Sequence, residues 1–201
     1  MPNLIRREPR EDAPAFAPPA RQPYLFPADL FTREAPGPTR FWTCVRTRPR
    51  WEKKLTRWLL RSGMTHYLPV VPNPTVSGRK RRISEIPLFP GFVFVEGDHD
   101  KGDFDRLGNV VFVLKPRIPR QADQLHHELW NIWTGLSSGL YVSPVQNLAA
   151  GEPCRITRGP LQGAQARFER AGRNGRLILQ VELMGSGLAV EVPPDAIELI
   201  D

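Results

Sequence analysis

Cysteine is nearly absent: Cys44 and Cys154 are the only two in 201 residues. So sparse and distant a pair excludes a disulfide framework and points to a reducing compartment. Cys44 lies in an apolar strand pattern and reads as a small core residue rather than a nucleophile. Histidine is also scarce. His66, His99, His126 and His127 show no metal-ligand spacing, and the adjacent last two point to different helix faces. Asp98, Asp100, Asp103 and Asp105 have the texture of a calcium loop but lack its glycine and terminal glutamate. There is no phosphate loop, nucleophile elbow or paired-carboxylate context. The expectation is therefore no enzyme, no metal and no cofactor. No apolar run reaches the ~18 residues of a membrane span, and the N-terminus lacks the apolar core of a secretory signal. A cytoplasmic protein without a membrane partner is expected. Acid is the final deficit. Twenty-one acidic residues face 28 basic ones, giving a net charge of +7 and a partner that is polyanionic, nucleic acid first.

Proline is plentiful, and unevenly placed. Residues 1–40 hold nine of the 22 prolines, with six arginines and five acids. Without periodicity this stretch is expected to be a disordered extension. Its apolar islands Pro23-Tyr24-Leu25-Phe26 and Leu30-Phe31 are the segments that could dock on the folded body or on a partner. From Phe41 the texture changes, and residues 41–136 read as one domain. Phe41 to Arg46 reads as a strand. Trp51, Leu55, Trp58 and Leu59 form an amphipathic stripe over Arg50 to Ser62, closed by Gly63 as C-cap. Tyr67 to Val71 reads as a strand, Asn73 to Pro87 as a β-hairpin arm, and Phe92–Val95 and Val110–Leu114 as further strands. Asp123 can cap a helix with Leu125, Leu129, Ile132, Trp133 and Leu136 on one face. The order suits an α+β layout, an antiparallel sheet with helices on one side. Residues 137–150 read as a linker. Residues 151–201 then carry five short alternating strands with glycine turns, the pattern of a small all-β barrel.

Two stretches carry most of the information. In the first, Ser77-Gly78-Arg79-Lys80-Arg81-Arg82 runs into Pro87-Leu88-Phe89-Pro90-Gly91-Phe92-Val93-Phe94. Pro90 removes a ladder N–H and Gly91 permits unusual dihedrals, so the strand entry is bent. The second is Gly151-Glu152-Pro153-Cys154-Arg155-Ile156-Thr157-Arg158-Gly159-Pro160-Leu161-Gln162-Gly163. Together with Trp42 and Arg46-Thr47-Arg48-Pro49-Arg50-Trp51-Glu52-Lys53, the first resembles the N-terminal domain of NusG-type transcription elongation factors. The second resembles their KOW domain, an SH3-like barrel whose motif falls on Gly151, Arg155, Ile156, Gly159, Pro160 and Gly163. The Arg-x-Arg-Pro-Arg start looks closer to the specialised RfaH and UpxY antiterminators than to housekeeping NusG. Thr43 departs from the aromatic residue usual there.

That resemblance implies a factor that binds the clamp helices of the RNA polymerase largest subunit and suppresses pausing or termination at a restricted set of operons. It also implies contact with upstream or non-template DNA, and a KOW domain that recruits a ribosomal protein or Rho. A monomer is expected. Alternation sends Phe92 and Phe94 to one strand face and Val93 and Val95 to the other. A strand apolar on both faces needs cover on both, so Phe89, Pro90, Phe92, Phe94 and Tyr67 become the candidate polymerase-binding residues. Arg46, Arg48, Arg50, Lys53, Arg79, Lys80, Arg81 and Arg82 become the candidate nucleic-acid contacts. The β-branched, glycine-interrupted C-terminal strands argue for a permanent barrel. The competing reading is a KOW-type RNA-binding or ribosome-associated protein.

Overall fold

The computed structural model describes residues 24–31, 39–77, 80–138, 142–146, 151–158, 161–171, 174–192 and 196–200. Period-two alternation builds a first antiparallel sheet in the order β1 (Leu25–Phe26), β3 (His66–Tyr67), β6 (Phe92–Glu96), β2 (Trp42–Thr47), β7 (Val110–Leu114). Cys44 pairs with Phe94 and with Leu114, and Arg46 with Phe92 and with Phe112. One face therefore carries Trp42, Cys44, Arg46, Phe92, Phe94 and Phe112. The other carries Val45, Val93 and Val95.

The two faces are covered by different helices. Helix α1 (Glu52–Arg61) lays Leu55 and Leu59 on Val45, Val93 and Val95, with Phe104 beside them. It ends as its sequence directs. Gly63 has φ +65, its N–H donates to the Leu60 carbonyl, and the Met64 N–H donates to that of Leu59, a Schellman closure. Helix α2 (Pro119–Ser137) lays Leu125, Leu129 and Ile132 against Trp42, Cys44 and Phe94. It starts four residues before Asp123, with Pro119 in the first turn, where the missing N–H costs nothing. Helices thus lie on both sides of the sheet. This corrects the expected one-sided layout, and the reason is that both faces of β6 are apolar.

Residues 24–31 fall within the expected disordered extension, and here too the structure differs. Leu25 and Phe26 pair with Tyr67 and His66 as an edge strand. Leu30 and Phe31 are buried at 6% and 3% exposure. The docking of these islands wins because the short edge of β3 and the aromatic floor beside it offer hydrogen bonds and apolar cover at once.

The basic arm is a separate two-stranded ribbon, β4 (Val70–Ser77) and β5 (Lys80–Pro87), in register from Val70↔Pro87 to Ser77↔Lys80. The C-terminal part forms an antiparallel sheet in the order β13 (Ile197–Leu199), β9 (Glu152–Ile156), β10 (Gln165–Ala171), β11 (Asn174–Val181), β12 (Ser186–Val192), β8 (Val142–Gln146). Strand β8 lies inside the expected linker: its backbone pairs with β12 from Ser186↔Gln146 to Val190↔Val142. The described pairings leave β13 and β8 at the two ends of the order, and the expected barrel closure is not among them. Leu161, Phe168, Leu179 and Val181 join the same apolar core as α2 and the first sheet.

Candidate partner-binding surface

The bend at Pro90-Gly91 is held from three sides. The Gly91 N–H donates to Glu52 Oε1 at 2.6 Å, a contact buried at the first turn of α1. The Gly91 carbonyl accepts from the Thr47 N–H at 2.7 Å, and the Phe92 N–H reaches back to the Phe89 carbonyl at 3.0 Å. Arg46 Nη1 donates to the Pro90 carbonyl at 2.7 Å. Gly91 has φ +83, a backbone conformation that favours glycine; a Cβ there would also displace the Arg46 guanidinium, whose Nη1 would stand 2.8 Å away. Glu52 is 4% exposed and takes the bend's buried N–H, with its charge placed at a helix N-terminus.

Arg46 consequently faces the protein's own chain. Its guanidinium carbon sits 4.6 Å from the centroid of the Phe92 ring. Across β2, the Phe92 and Phe112 rings meet edge to face with centroids 6.4 Å apart. Phe112 is 42% exposed and Val111 47%, while Phe92 is half-buried. Val111 is exposed because the register shifts between Arg46 and Thr47, which leaves it without a β2 partner. Phe92 and Phe112 make an apolar patch on one sheet face, and Pro90 and Val111, their near neighbours in sequence, are exposed.

The other candidates on that face are covered. Phe89 is 4% exposed, Phe94 0% and Tyr67 4%. Phe89 stands edge-on to Phe94 at 6.1 Å, Tyr67 lies 6.4 Å from Phe94, and Phe31 stands edge-on to Tyr67 at 5.5 Å. Helix α2 and Phe31 supply the cover that was expected from a partner, so in this state Phe89, Phe94 and Tyr67 offer no outer surface. Pro90 and Phe92 remain at the surface. Phe112 and Val111 were missed by sequence reasoning, although Val110-Val111-Phe112-Val113-Leu114 is as apolar on both faces as the strand that was singled out. Burial pushes the Tyr67 hydroxyl and the Cys44 thiol upward from their usual titration ranges, with Glu128 adding to the effect at Cys44.

The candidate basic residues divide. Arg48 and Arg50 are exposed, and Arg50 has φ +69 at the turn into α1. On α1 itself, Lys54, Arg57 and Arg61 line the exposed side, with Lys54 Nζ 3.9 Å from the Trp51 ring centroid. Lys53 is instead spent internally: its ammonium donates to the Glu85 carbonyl of β5 at 2.6 Å and lies 5.5 Å from the Tyr24 ring. Arg82 is exposed on β5. Arg79 lies outside the described residues, as do the side chains of Lys80 and Arg81. Away from this surface, the Lys115 ammonium bridges Asp98 and Asp100 at 2.7 and 2.8 Å.

In the C-terminal sheet, Gly151 has φ +118, and a Cβ there would meet the Phe168 carbonyl oxygen at 3.1 Å. Ile156 is 2% exposed and Arg155 is exposed on the same strand. Gly163, at φ +88, donates its N–H to the Ile156 carbonyl, and Ile156 donates to that of Ala164, which closes the loop between β9 and β10. Gly159 and Pro160 lie outside the described residues.

Residues 40–118, from just before β2 to just past β7, match the family model NusG, described as transcription termination factor nusG. That stretch, about two fifths of the chain, carries the bend, the aromatic patch, α1 and the basic ribbon. Among solved structures, a crystal structure of the MjSpt4:Spt5 complex in conformation B is similar at 17% identity. The similarity covers 80% of this chain and 97% of that one, with a TM-score of 0.25. No curated protein matches the chain.

Proposed function

We propose that this chain is a NusG-like transcription elongation and antitermination factor. It binds the clamp helices of the RNA polymerase largest subunit and suppresses pausing or termination at a restricted set of operons. The observation that carries this reading is the half-exposed Phe92–Phe112 pair, set by a glutamate-pinned Pro-Gly bend within the stretch matching NusG. An amphipathic partner helix is the natural cover for such a patch, since its apolar stripe is a few side chains wide. Arg48, Arg50, Lys54, Arg57 and Arg61 form an exposed cationic border suited to backbone phosphates of upstream or non-template DNA. Holding a helix on one side and DNA on the other would bridge the polymerase cleft and oppose its opening. The C-terminal sheet is the KOW-type module of this reading, and its partner is a ribosomal protein or Rho.

Pull-down with purified core polymerase at low salt tests the proposal, with ribosomal RNA as the competing ligand. Retention of polymerase by the wild-type chain and its loss in Phe112→Asp is the expected result. Failure to retain polymerase, with ribosomal RNA bound instead, would establish the ribosome-associated alternative.

A further inference from the structure

We infer that the aromatic groove between β3 and α2 is a binding groove that the chain's own residues 24–31 occupy in competition with polymerase. The inference rests on the function proposed above and adds to it a cis-acting strap at the partner-binding face.

Three observations carry it. First, the segment sits on the groove as a ligand would. The Leu68 N–H donates to the Tyr24 carbonyl at 2.7 Å, and Leu25 and Phe26 extend the sheet edge at Tyr67 and His66. Phe31 enters a box of four rings. Trp42, Tyr67, His126 and Trp133 have centroids 6.0, 5.5, 5.9 and 5.9 Å from its own. Strand addition with an aromatic anchor is a recurring mode of peptide recognition. Second, the segment lies outside the stretch matching NusG, residues 40–118, yet it covers residues of that stretch. Its cover falls on Tyr67, and through it on Phe94 and Phe89, residues the apolar pattern offers to a partner. Third, the docked state leaves a defect: among the described residues, none is a hydrogen-bond partner of the buried Tyr67 hydroxyl. A buried, unpaired hydroxyl destabilises the closed arrangement. An occupant with a donor or acceptor at that point, or water after release, would remove the penalty. Tyr67 pairs with Phe94 and so shares the sheet face of Phe92 and Phe112, and a partner that takes the strap's place lies on the face that carries the patch.

The full-length chain allows a direct test. Leu30→Ala/Phe31→Ala frees the groove. Phe26→Cys/His66→Cys places a cystine across paired strands and locks it when oxidised; Cys44 and Cys154 are buried and do not compete. A fluorescent peptide of residues 23–31 should bind the Leu30→Ala/Phe31→Ala chain at least tenfold tighter than wild type, and the oxidised chain not at all. Core polymerase should follow the same order, and reduction of the cystine should restore wild-type binding. Equal peptide affinity for freed and wild-type chains overturns the groove, a conclusion available even if the cysteine variant fails to fold. Equal polymerase affinity for wild-type, freed and locked forms overturns the competition while leaving the proposed function in place. No polymerase binding by any form sinks that function and the partner named here with it.

Discussion

Single side chains decide how the bend is held. In the sequence Glu52 is simply one member of the run from Arg46 to Lys53, yet it caps the buried Gly91 N–H that sets the strand entry. Glu52→Ala should lower stability by about 1–3 kcal/mol, the usual cost of an orphaned buried donor, measured by urea unfolding. Trp42 Nε1–H donates to His126 Nδ1 at 3.0 Å within the core, which fixes that imidazole nitrogen as an acceptor. The buried Cys44 and Tyr67 set the alkaline limit. Their folded pKa values are raised, so the stability they contribute is complete below their ordinary values and declines as pH rises past them. The urea midpoint should therefore fall progressively above about pH 9. Cys44→Ala should flatten the first part of that decline, read from the midpoint across pH 8 to 11. An unchanged profile would remove Cys44 from the account.

Elements add geometry that no residue has alone. In the β4–β5 ribbon, Pro72 pairs opposite Glu85, Pro74 opposite Ile83 and Pro87 opposite Val70. Prolines fit at positions whose N–H would point away from the ladder, so the outer edge of β4 lacks donors at two alternating sites and resists pairing with another chain. The β5 edge is tied to α1 by Lys53 on the Glu85 carbonyl, which aims the arm relative to the helix carrying Lys54, Arg57 and Arg61. Charge reversal at Arg79, Lys80, Arg81 and Arg82 should weaken binding to a DNA-containing elongation complex more than to free polymerase. Binding to the complex should also lose part of its salt dependence, by counterion release. Equal losses on both would show that the arm stays clear of DNA. Lys53→Ala should reproduce a fraction of this effect without changing net charge at the tip.

At the scale of the whole molecule, α2 is shared. Leu125, Leu129 and Ile132 serve the first sheet, while Gly135 faces Leu161 and Leu179 of the C-terminal part. A Cβ at Gly135 would meet their methyls at 3.9 and 3.8 Å, ordinary contact distances. Gly135→Ala should accordingly stabilise the protein by about 0.5–1 kcal/mol through helix propensity. Gly135→Leu has no room and should separate the C-terminal unfolding transition from the first, visible as two steps in a thermal melt. A single unshifted transition would mean that the two parts do not share the helix in solution.

How much of this was readable beforehand follows from the range of each interaction. The α1 stripe, its Gly63 closure, the β4–β5 ribbon and the strands from Phe92 to Val95 and Val110 to Leu114 rest on periodicity and turn chemistry within about a dozen residues. They stand where the sequence placed them, except that the ribbon begins at Val70 and takes Val70-Val71 from the strand the sequence had run from Tyr67 to Val71. The two-sided helix cover, the edge strand Leu25–Phe26 and strand β8 inside the expected linker depend on pairings across the chain. Pro-rich composition spoke for disorder in residues 1–40, and the apolar islands from Tyr24 to Phe26 and at Leu30-Phe31 were legible as docking candidates, but not the sheet edge and rings they meet. Alternation sorted Phe92 and Phe94 onto one face correctly but could not say that α2 and Phe31 would reach Phe94 and leave Phe92 half open.

The amino-acid order alone determined the local backbone, the bend at Gly91, the clustering of positive charge and the need for cover on both faces of β6. Only the tertiary structure decided who provides that cover. Periodicity fixes the direction in which a side chain points, whereas its burial is set by whatever distant segment packs above it.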